Sequence, residues 1–143
     1  MPQLLKHIDR IAREKQRDVL YVQFHDPDWQ WEEFSEFLST FDYKESLPRK
    51  TVLEWLPAND IPFFPCGGIA NERTMIAYMG QLYIDVPFDE SNPIYRRLAE
   101  FLEYPEGGMK IPGVFFCAVS LNCAMQNAHH DEPGFWERWA DGF

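Results

Sequence analysis

Cys66 is the residue with the clearest potential for covalent chemistry. It lies in the segment Pro65-Cys66-Gly67-Gly68, where glycines would let a backbone amide approach an oxyanion and an open loop would leave a thiolate accessible. A nucleophilic cysteine needs a base, and the candidates are His25, His129 and His130. None of these histidines lies in the local signature of a catalytic cysteine family. We therefore interpret Cys66 as a loop cysteine without chemistry, with thiol catalysis as the alternative.

A run of potential metal ligands, His129-His130-Asp131-Glu132, lies near the C-terminus. Consecutive residues point in different directions, whereas catalytic zinc sites draw on the fixed spacing of a helix or strand, as in the H-E-x-x-H helix. Together with His25 or Cys123, this run could bind a divalent ion. We expect instead a solvated polar turn before a terminal helix, and we predict no metal and no cofactor.

Polar and aromatic side chains on one face of the predicted sheet form a third candidate site. They are Tyr21 and His25 on the first strand, and Tyr78, Tyr83 and Asp85 on the outer face of a predicted hairpin. Together with the Cys66 loop, they could bind a small ligand. Alternatively, the C-terminal segment with Trp136 and Trp139 covers this face and completes the core.

An acidic helix face with an aromatic anchor is the fourth candidate. Its members project from one side of a predicted helix at about 100° per residue, and they are Trp29, Glu32, Glu33 and Glu36. Such a surface could accept a protein partner with a basic surface. The structural alternative is a tryptophan folded over the core edge and acids that favour the positive end of the helix dipole.

Three elements in the first part of the chain would position these residues. Apolar residues at helical spacing predict an amphipathic helix from Pro2 to about Gln16. Val19 to Phe24 is predicted as a strand with both faces at least partly covered. Asp26-Pro27 has the form of an N-cap and first helical residue, so the acidic helix begins there.

The middle of the chain predicts mainly strands. Thr51–Leu56 is interpreted as a strand that Pro57 ends, and Pro57–Glu72 as a long loop rich in proline and glycine that could act as a lid. Residues 73–79 and 82–88 flank Gly80-Gln81, which predicts a type II′ hairpin pairing Met79 with Leu82.

The last third begins with a capped helix. Ser91-Asn92-Pro93 repeats the signal of an N-cap followed by proline, and the helical spacing continues until Pro105. Val114–Val119 is apolar on both faces, which is typical of an interior strand. Residues 121–143 are expected to form a C-terminal extension that packs on or near the sheet.

This order of elements predicts one α+β domain spanning residues 1–143. It resembles the split β-α-β arrangement of ferredoxin-like sandwiches. We therefore predict a ferredoxin-like variant of the open-faced sandwich, with a mainly antiparallel sheet, helices packed on one face and an extra N-terminal helix.

Composition limits the possible partners and locations. The net charge is −10, and most of the acidic excess follows residue 50, so nucleic-acid binding is disfavoured. The basic first helix is the one candidate for binding nucleic acid or lipid, and we interpret it as a solvated helix face.

No apolar run approaches the roughly 20 residues of a membrane span, and the N-terminus lacks a signal-peptide core, which predicts a cytoplasmic protein. Three cysteines without a C-x-x-C pair predict free thiols.

The absence of a phosphate loop, a nucleophile elbow and a Rossmann fingerprint from the sequence favours binding over catalysis. We therefore predict a non-enzymatic module that binds another protein, of the inhibitor, immunity or regulatory adaptor type. The alternative is a small-molecule site or a thiol- or metal-dependent enzyme that uses the sheet face and the Cys66 loop. A third possibility is an acidic mimic of nucleic acid. The sequence indicates no oligomeric state.

Overall fold

The computed structural model describes residues 5–25, 42–68 and 78–141 of the chain, and these ranges contain both helices and strands. The helices are α1 (Ile8–Lys15), α2 (Leu47–Ala58), α3 (Pro93–Leu102), α4 (Leu121–Met125) and α5 (Phe135–Asp141). The strands are β1 (Val19–Phe24), β2 (Phe63–Pro65), β3 (Leu82–Ile84) and β4 (Val114–Val119). Short 3-10 turns span Tyr43–Glu45 and Ala128–Asp131.

The four strands form one sheet in the order β2-β3-β1-β4, and every neighbouring pair is antiparallel. β1 lies in the interior, where Leu20 is opposite Ile84 of β3 on one side and Ala118 of β4 on the other. β4 lies at the edge of the sheet among the described elements, whereas an interior strand was predicted. Val114 and Val119 at its ends are buried, but Phe115 stays 42% exposed.

Helices cover both faces of the sheet, because β1 is apolar on both faces. On the first face, Leu20, Val22 and Phe24 pack in one buried cluster with side chains of α2 and α3. On the second face, Val19 and Tyr21 pack in another cluster with side chains of α1 and α4. The α+β class and the antiparallel sheet are confirmed. The expectation of an open-faced sheet with helices on one face is wrong, since Ile8, Ile11 and Ala12 of α1 are buried over the second face.

The ferredoxin-like connectivity stays a prediction. The helix predicted from Asp26 to about Phe41 lies outside the described residues. The predicted N-terminal helix is confirmed from Ile8 to Lys15, and residues 1–4 also lie outside.

The segment predicted as the strand Thr51–Leu56 is part of helix α2. Ser46 is the N-cap, and its Oγ accepts a hydrogen bond from the backbone amide of Arg49 at 3.2 Å. Val52 and Leu56 are four residues apart, so both point into the core, where each is fully buried. The N-cap and this spacing favour the helix more strongly than the β-branched Thr51-Val52 pair favours a strand.

The predicted hairpin is wrong in its pairing. Leu82–Ile84 pairs with β1 on one side and with β2 on the other, so no edge of β3 is left for Met79. The predicted partner strand began at Arg73, and residues 69–77 lie outside the described ranges. Gly80 does adopt the predicted positive φ, +90°. The strand that pairs with β3 in its place, β2, comes from the segment interpreted as a lid loop.

Helix α3 is confirmed, with the predicted cap. Asn92 Oδ1 accepts hydrogen bonds from the amides of Ile94 at 2.8 Å and Tyr95 at 3.3 Å, and Pro93 is the first helical residue. Leu98 and Leu102 are fully buried against the first sheet face. None of the helices in the described ranges combines the length and the apolar character needed to cross a membrane.

The close approach at Gly80 gives a stability prediction. A Cβ at Gly80 would lie 2.7 Å from Tyr43 Cβ and 2.9 Å from Arg49 Nε. Gly107 also has a positive φ, +99°, but a Cβ there would meet no described heavy atom within 4 Å. We expect Gly107→Ala to lower the free energy of unfolding by about 1 kcal/mol through backbone strain. Gly80→Ala adds steric overlap, so it should lower the free energy of unfolding by about 3 kcal/mol. Urea unfolding measures both, and equal losses would contradict the packing at Gly80.

Candidate functional site

The basic residues of the first helix are used in ion pairs within the molecule. Each of the five basic side chains from Lys6 to Arg17 lies near a carboxylate, at 2.7–3.6 Å for the nearest atoms in each case. Their partners are Glu14, Asp85 and Asp131. Arg13 is buried in its pairs, whereas Lys6 and Arg10 pair with Glu14 at the surface, where ion pairs are weak and can be exchanged.

Arg13 is the centre of a buried polar cluster. Its guanidinium donates two hydrogen bonds to the Asp131 carboxylate and one to the carbonyl oxygen of Ala124, each 2.7 Å long. Asp9, only 1% exposed, lies 3.5 Å away on the same helix. The hydrogen bond to Asp131 raises the pKa of Arg13 although burial opposes it, and the same bond lowers the pKa of Asp131. The pair therefore stabilises the fold above the ordinary pKa of an aspartate and loses this effect as the pH falls.

The residues of the predicted metal-ligand run, His129-His130-Asp131-Glu132, make separate contacts in the structure. His130 is 3% exposed and packs against the rings of Phe135 and Trp136, while the carboxylate of Asp131 binds Arg13. The predicted turn is confirmed as the 3-10 turn Ala128–Asp131, but it is not solvated throughout because His130 is buried. Among the described residues, no three His, Cys, Asp or Glu side chains converge on a position for a metal ion.

The sheet-face residues are only partly brought together. Tyr21 and Tyr83 are cross-strand partners, and both are buried in the cluster beneath α1. Burial raises the pKa of both phenols, that of Tyr83 to about 12. Tyr78 instead donates a hydrogen bond to the carbonyl of Gln81, and His25 contacts the ring of Phe115. Helix α1, rather than Trp136 and Trp139, fills the space above the two paired tyrosines.

Asp85 lies at the rim of this covered face. Its Oδ1 accepts a hydrogen bond of 2.6 Å from Tyr83 and one of 2.9 Å from Arg17, and Lys15 lies 3.6 Å away. Burial alone would raise the pKa of this carboxyl, but the hydrogen bond from Tyr83 and the two cations lower it overall. Asp85 therefore acts as an anchor for the end of α1.

Cys66 is fully buried in the cluster on the second sheet face. Its amide donates a hydrogen bond to the carbonyl of Gln81, and burial raises the pKa of its thiol to about 12. A nucleophilic cysteine needs an exposed thiol with a lowered pKa, so the geometry opposes that role. Cys66, Cys117 and Cys123 are all free thiols, as predicted.

Thiol reactivity can be measured directly. At pH 8 we expect iodoacetamide to label the exposed Cys123 first and Cys66 only after unfolding, because the buried thiol stays protonated. Peptide mass spectrometry identifies the labelled cysteine, and labelling in guanidinium chloride provides the control in which all three react. Labelling of Cys66 in the folded protein as fast as Cys123 would restore the thiol alternative.

An aromatic and acidic surface on α3 is the feature that sequence reasoning missed. The ring centroid of Tyr95 lies 5.4 Å from that of Phe88 and 6.3 Å from that of Phe116. Burial raises the pKa of Tyr95, and the nearby carboxylates of Glu103 and Glu90 raise it further. We name Phe88, Glu90, Tyr95, Glu103 and Phe116 the α3 strip. Its members come from three segments of the chain, so no local spacing pattern unites them.

The acidic helix face with Trp29, Glu32, Glu33 and Glu36 falls in residues 26–41, which lie outside the described ranges. It remains a prediction from helical spacing alone. The α3 strip is therefore the acidic surface whose geometry can be stated.

Neither a protein family model, nor a curated protein, nor a solved structure matches this chain.

The buried cluster predicts unequal effects for two arginines of α1. Arg13→Gln leaves the Asp9 carboxylate buried without its cation, so we expect the free energy of unfolding to fall by about 3 kcal/mol. Arg10 has a 44% exposed side chain, and Arg10→Gln should cost less than about 1 kcal/mol. Denaturant unfolding at pH 7 compares the variants. A loss of less than about 1 kcal/mol for Arg13→Gln would show that the cluster contributes little.

Proposed function

We propose that this chain is a protein-binding module that recognises a partner with a basic surface. The proposal rests on a difference in ion pairing between the basic side chains of the first helix and the carboxylates around α3. The basic side chains from Lys6 to Arg17 each pair with a carboxylate of the molecule, whereas five carboxylates in and beside α3 form no ion pair within the described residues and outnumber the three basic residues there, Arg96, Arg97 and Lys110. These carboxylates belong to Asp89, Glu90, Glu100, Glu103 and Glu106. Such a surface attracts a basic protein and raises its association rate.

The α3 strip supplies the apolar contact that charge alone cannot provide. Phe88 is 46% exposed, and its ring packs near the partly buried ring of Tyr95, which in turn packs near the partly buried ring of Phe116. A lysine or arginine side chain can lay its apolar stem along these rings while its cation meets Glu90 or Glu103. Aromatic anchors of this kind contribute most of the binding energy in protein interfaces.

The predicted acidic helix face would add a second contact of the same chemistry. Trp29 is its aromatic anchor, and Glu32, Glu33 and Glu36 are its carboxylates. This part of the proposal rests on sequence spacing and needs its own variants.

A small-molecule or enzymatic function that uses the sheet face and the Cys66 loop is less well supported. Helix α1 occupies the space above Tyr21 and Tyr83, and Cys66 is buried with a raised pKa. A mimic of nucleic acid would share the acidic surface but would not need the exposed ring of Phe88.

The test is capture of a partner from native extract, followed by affinity measurement with the purified partner. We expect Glu90→Gln combined with Glu103→Gln to weaken binding about tenfold and to reduce its salt dependence, and Phe88→Ala to weaken it to a similar degree. Glu54→Gln combined with Asp60→Asn removes the same charge from exposed positions on and after α2 and should change affinity less than about twofold.

A second set of variants tests the predicted helix face. Glu32, Glu33 and Glu36 changed together to Gln should reduce the salt dependence as well. Unchanged affinity and an unchanged salt slope in both the α3 variants and the helix-face variants would exclude recognition through acidic surfaces.

A further inference from the structure

A cleft of about 310 Å³ lies between the first helix and the C-terminal segment, on the side of the sheet away from the α3 strip. The first helix and the residues before it contribute Lys6 and Arg10 to the lining, and the C-terminal segment contributes Glu132, Pro133, Trp136 and Glu137. The volume is at the lower end of the range for small-molecule sites. The cleft is therefore large enough for a small metabolite and too small for a nucleotide cofactor in an extended form.

The cationic side of the cleft has unused hydrogen-bond donors. Arg10 Nε lies 3.4 Å from Glu14 and 3.9 Å from Asp131, and in the described part of the chain its guanidinium donates no hydrogen bond. Lys6 Nζ lies 2.9 Å from Glu14 at the surface, an exposed pair that a ligand can exchange at little cost. A guanidinium with free terminal nitrogens is suited to bidentate binding of a carboxylate.

The acidic side has carboxylates without partners among the described residues. Glu132 and Glu137 are exposed, and neither accepts a side-chain hydrogen bond or takes part in an ion pair there. Asp131, by contrast, is already neutralised by Arg13 at 2.7 Å. The cleft thus offers acceptors for a positive group on one side and donors for a negative group on the other.

The aromatic part of the cleft is held in place by its neighbours. Trp136 stacks on His7 with ring centroids 4.7 Å apart and planes 20° apart, and it also packs near His130 at 5.4 Å. The ring of His7 is hydrogen-bonded to the carbonyl of Gly68. The Arg13–Asp131 pair fixes the spacing between the two sides, so a ligand would meet a preorganised site.

We propose that this cleft binds a free α-amino acid as a zwitterion. The carboxylate lies against Arg10 and Lys6, the ammonium group faces Glu132 and Glu137, and the side chain lies along Trp136 and Pro133. An anion alone would be repelled by Glu132 and Glu137, and a cation alone would leave the donors of Arg10 unused. A molecule that carries both charges within a few ångströms satisfies both sides at once.

The proposal is tested by titrating each of the twenty L-α-amino acids into the full chain by calorimetry. For the tightest ligand, the methyl ester removes the negative charge and the N-acetyl derivative removes the positive charge. We expect each derivative to bind about tenfold or more weakly than the free amino acid, because each loses one charge-assisted contact. The indole N–H resonance of Trp136, assigned with a Trp136→Phe variant, should shift on binding.

Variants identify the two sides separately. Arg10→Gln and Glu137→Gln should each weaken binding about tenfold, whereas Lys50→Gln and Glu54→Gln, which change the same charges on α2, should leave it unchanged within about twofold. Lys6→Gln replaces Arg10→Gln if that variant does not fold. No saturable binding of any amino acid, binding of the ester or the N-acetyl derivative as tight as that of the free amino acid, or an unshifted Trp136 resonance would each overturn the proposal. Capture of a basic protein partner does not depend on this cleft, so the two proposals can fail independently.

Discussion

The buried guanidinium of Arg13 joins the first helix to the C-terminal segment, and much of the molecule depends on this contact. Arg13 donates hydrogen bonds to Asp131 and to the carbonyl of Ala124, which are more than a hundred residues away in sequence. These bonds hold α1 and α4 together over the second sheet face. A buried cation is stable only with such partners, so the acidic turn Ala128–Asp131 is required by the fold rather than available for chemistry.

Apolar periodicity was sufficient to predict the elements with a strong pattern. α1, β1, α3 and β4 lie where helical or alternating spacing places them, and the cap at Asn92 is correct. α2 was missed because the residues around Thr51 have high β propensity, while the N-cap at Ser46 and the burial of Val52 and Leu56 decide the helix. The pairing of β3 with β2 was missed because a three-residue strand carries too little pattern to be recognised. Tertiary packing decides such short segments.

The candidate sites were harder to predict than the fold, because residue type does not reveal burial. Cys66 follows a proline and precedes two glycines, a context typical of an open loop, yet its side chain is fully buried between α1 and the sheet. Tyr21 and Tyr83 were correctly placed on one face, but the helix that covers them could not be assigned to that face from its own sequence. The α3 strip and the cleft beside Trp136 each combine segments that are distant in the chain, so only the fold brings their residues together.

Within the described residues, the carboxylates around α3 form no ion pair, whereas the basic side chains from Lys6 to Arg17 do, and this contrast supports the proposed recognition through the acidic face. Hydrogen–deuterium exchange of the chain with and without its purified partner tests this conclusion most directly. We predict slower exchange in residues 88–102, around the α3 strip, with no change in α1. Protection confined to α1, or no protection around α3, would contradict recognition through the acidic face.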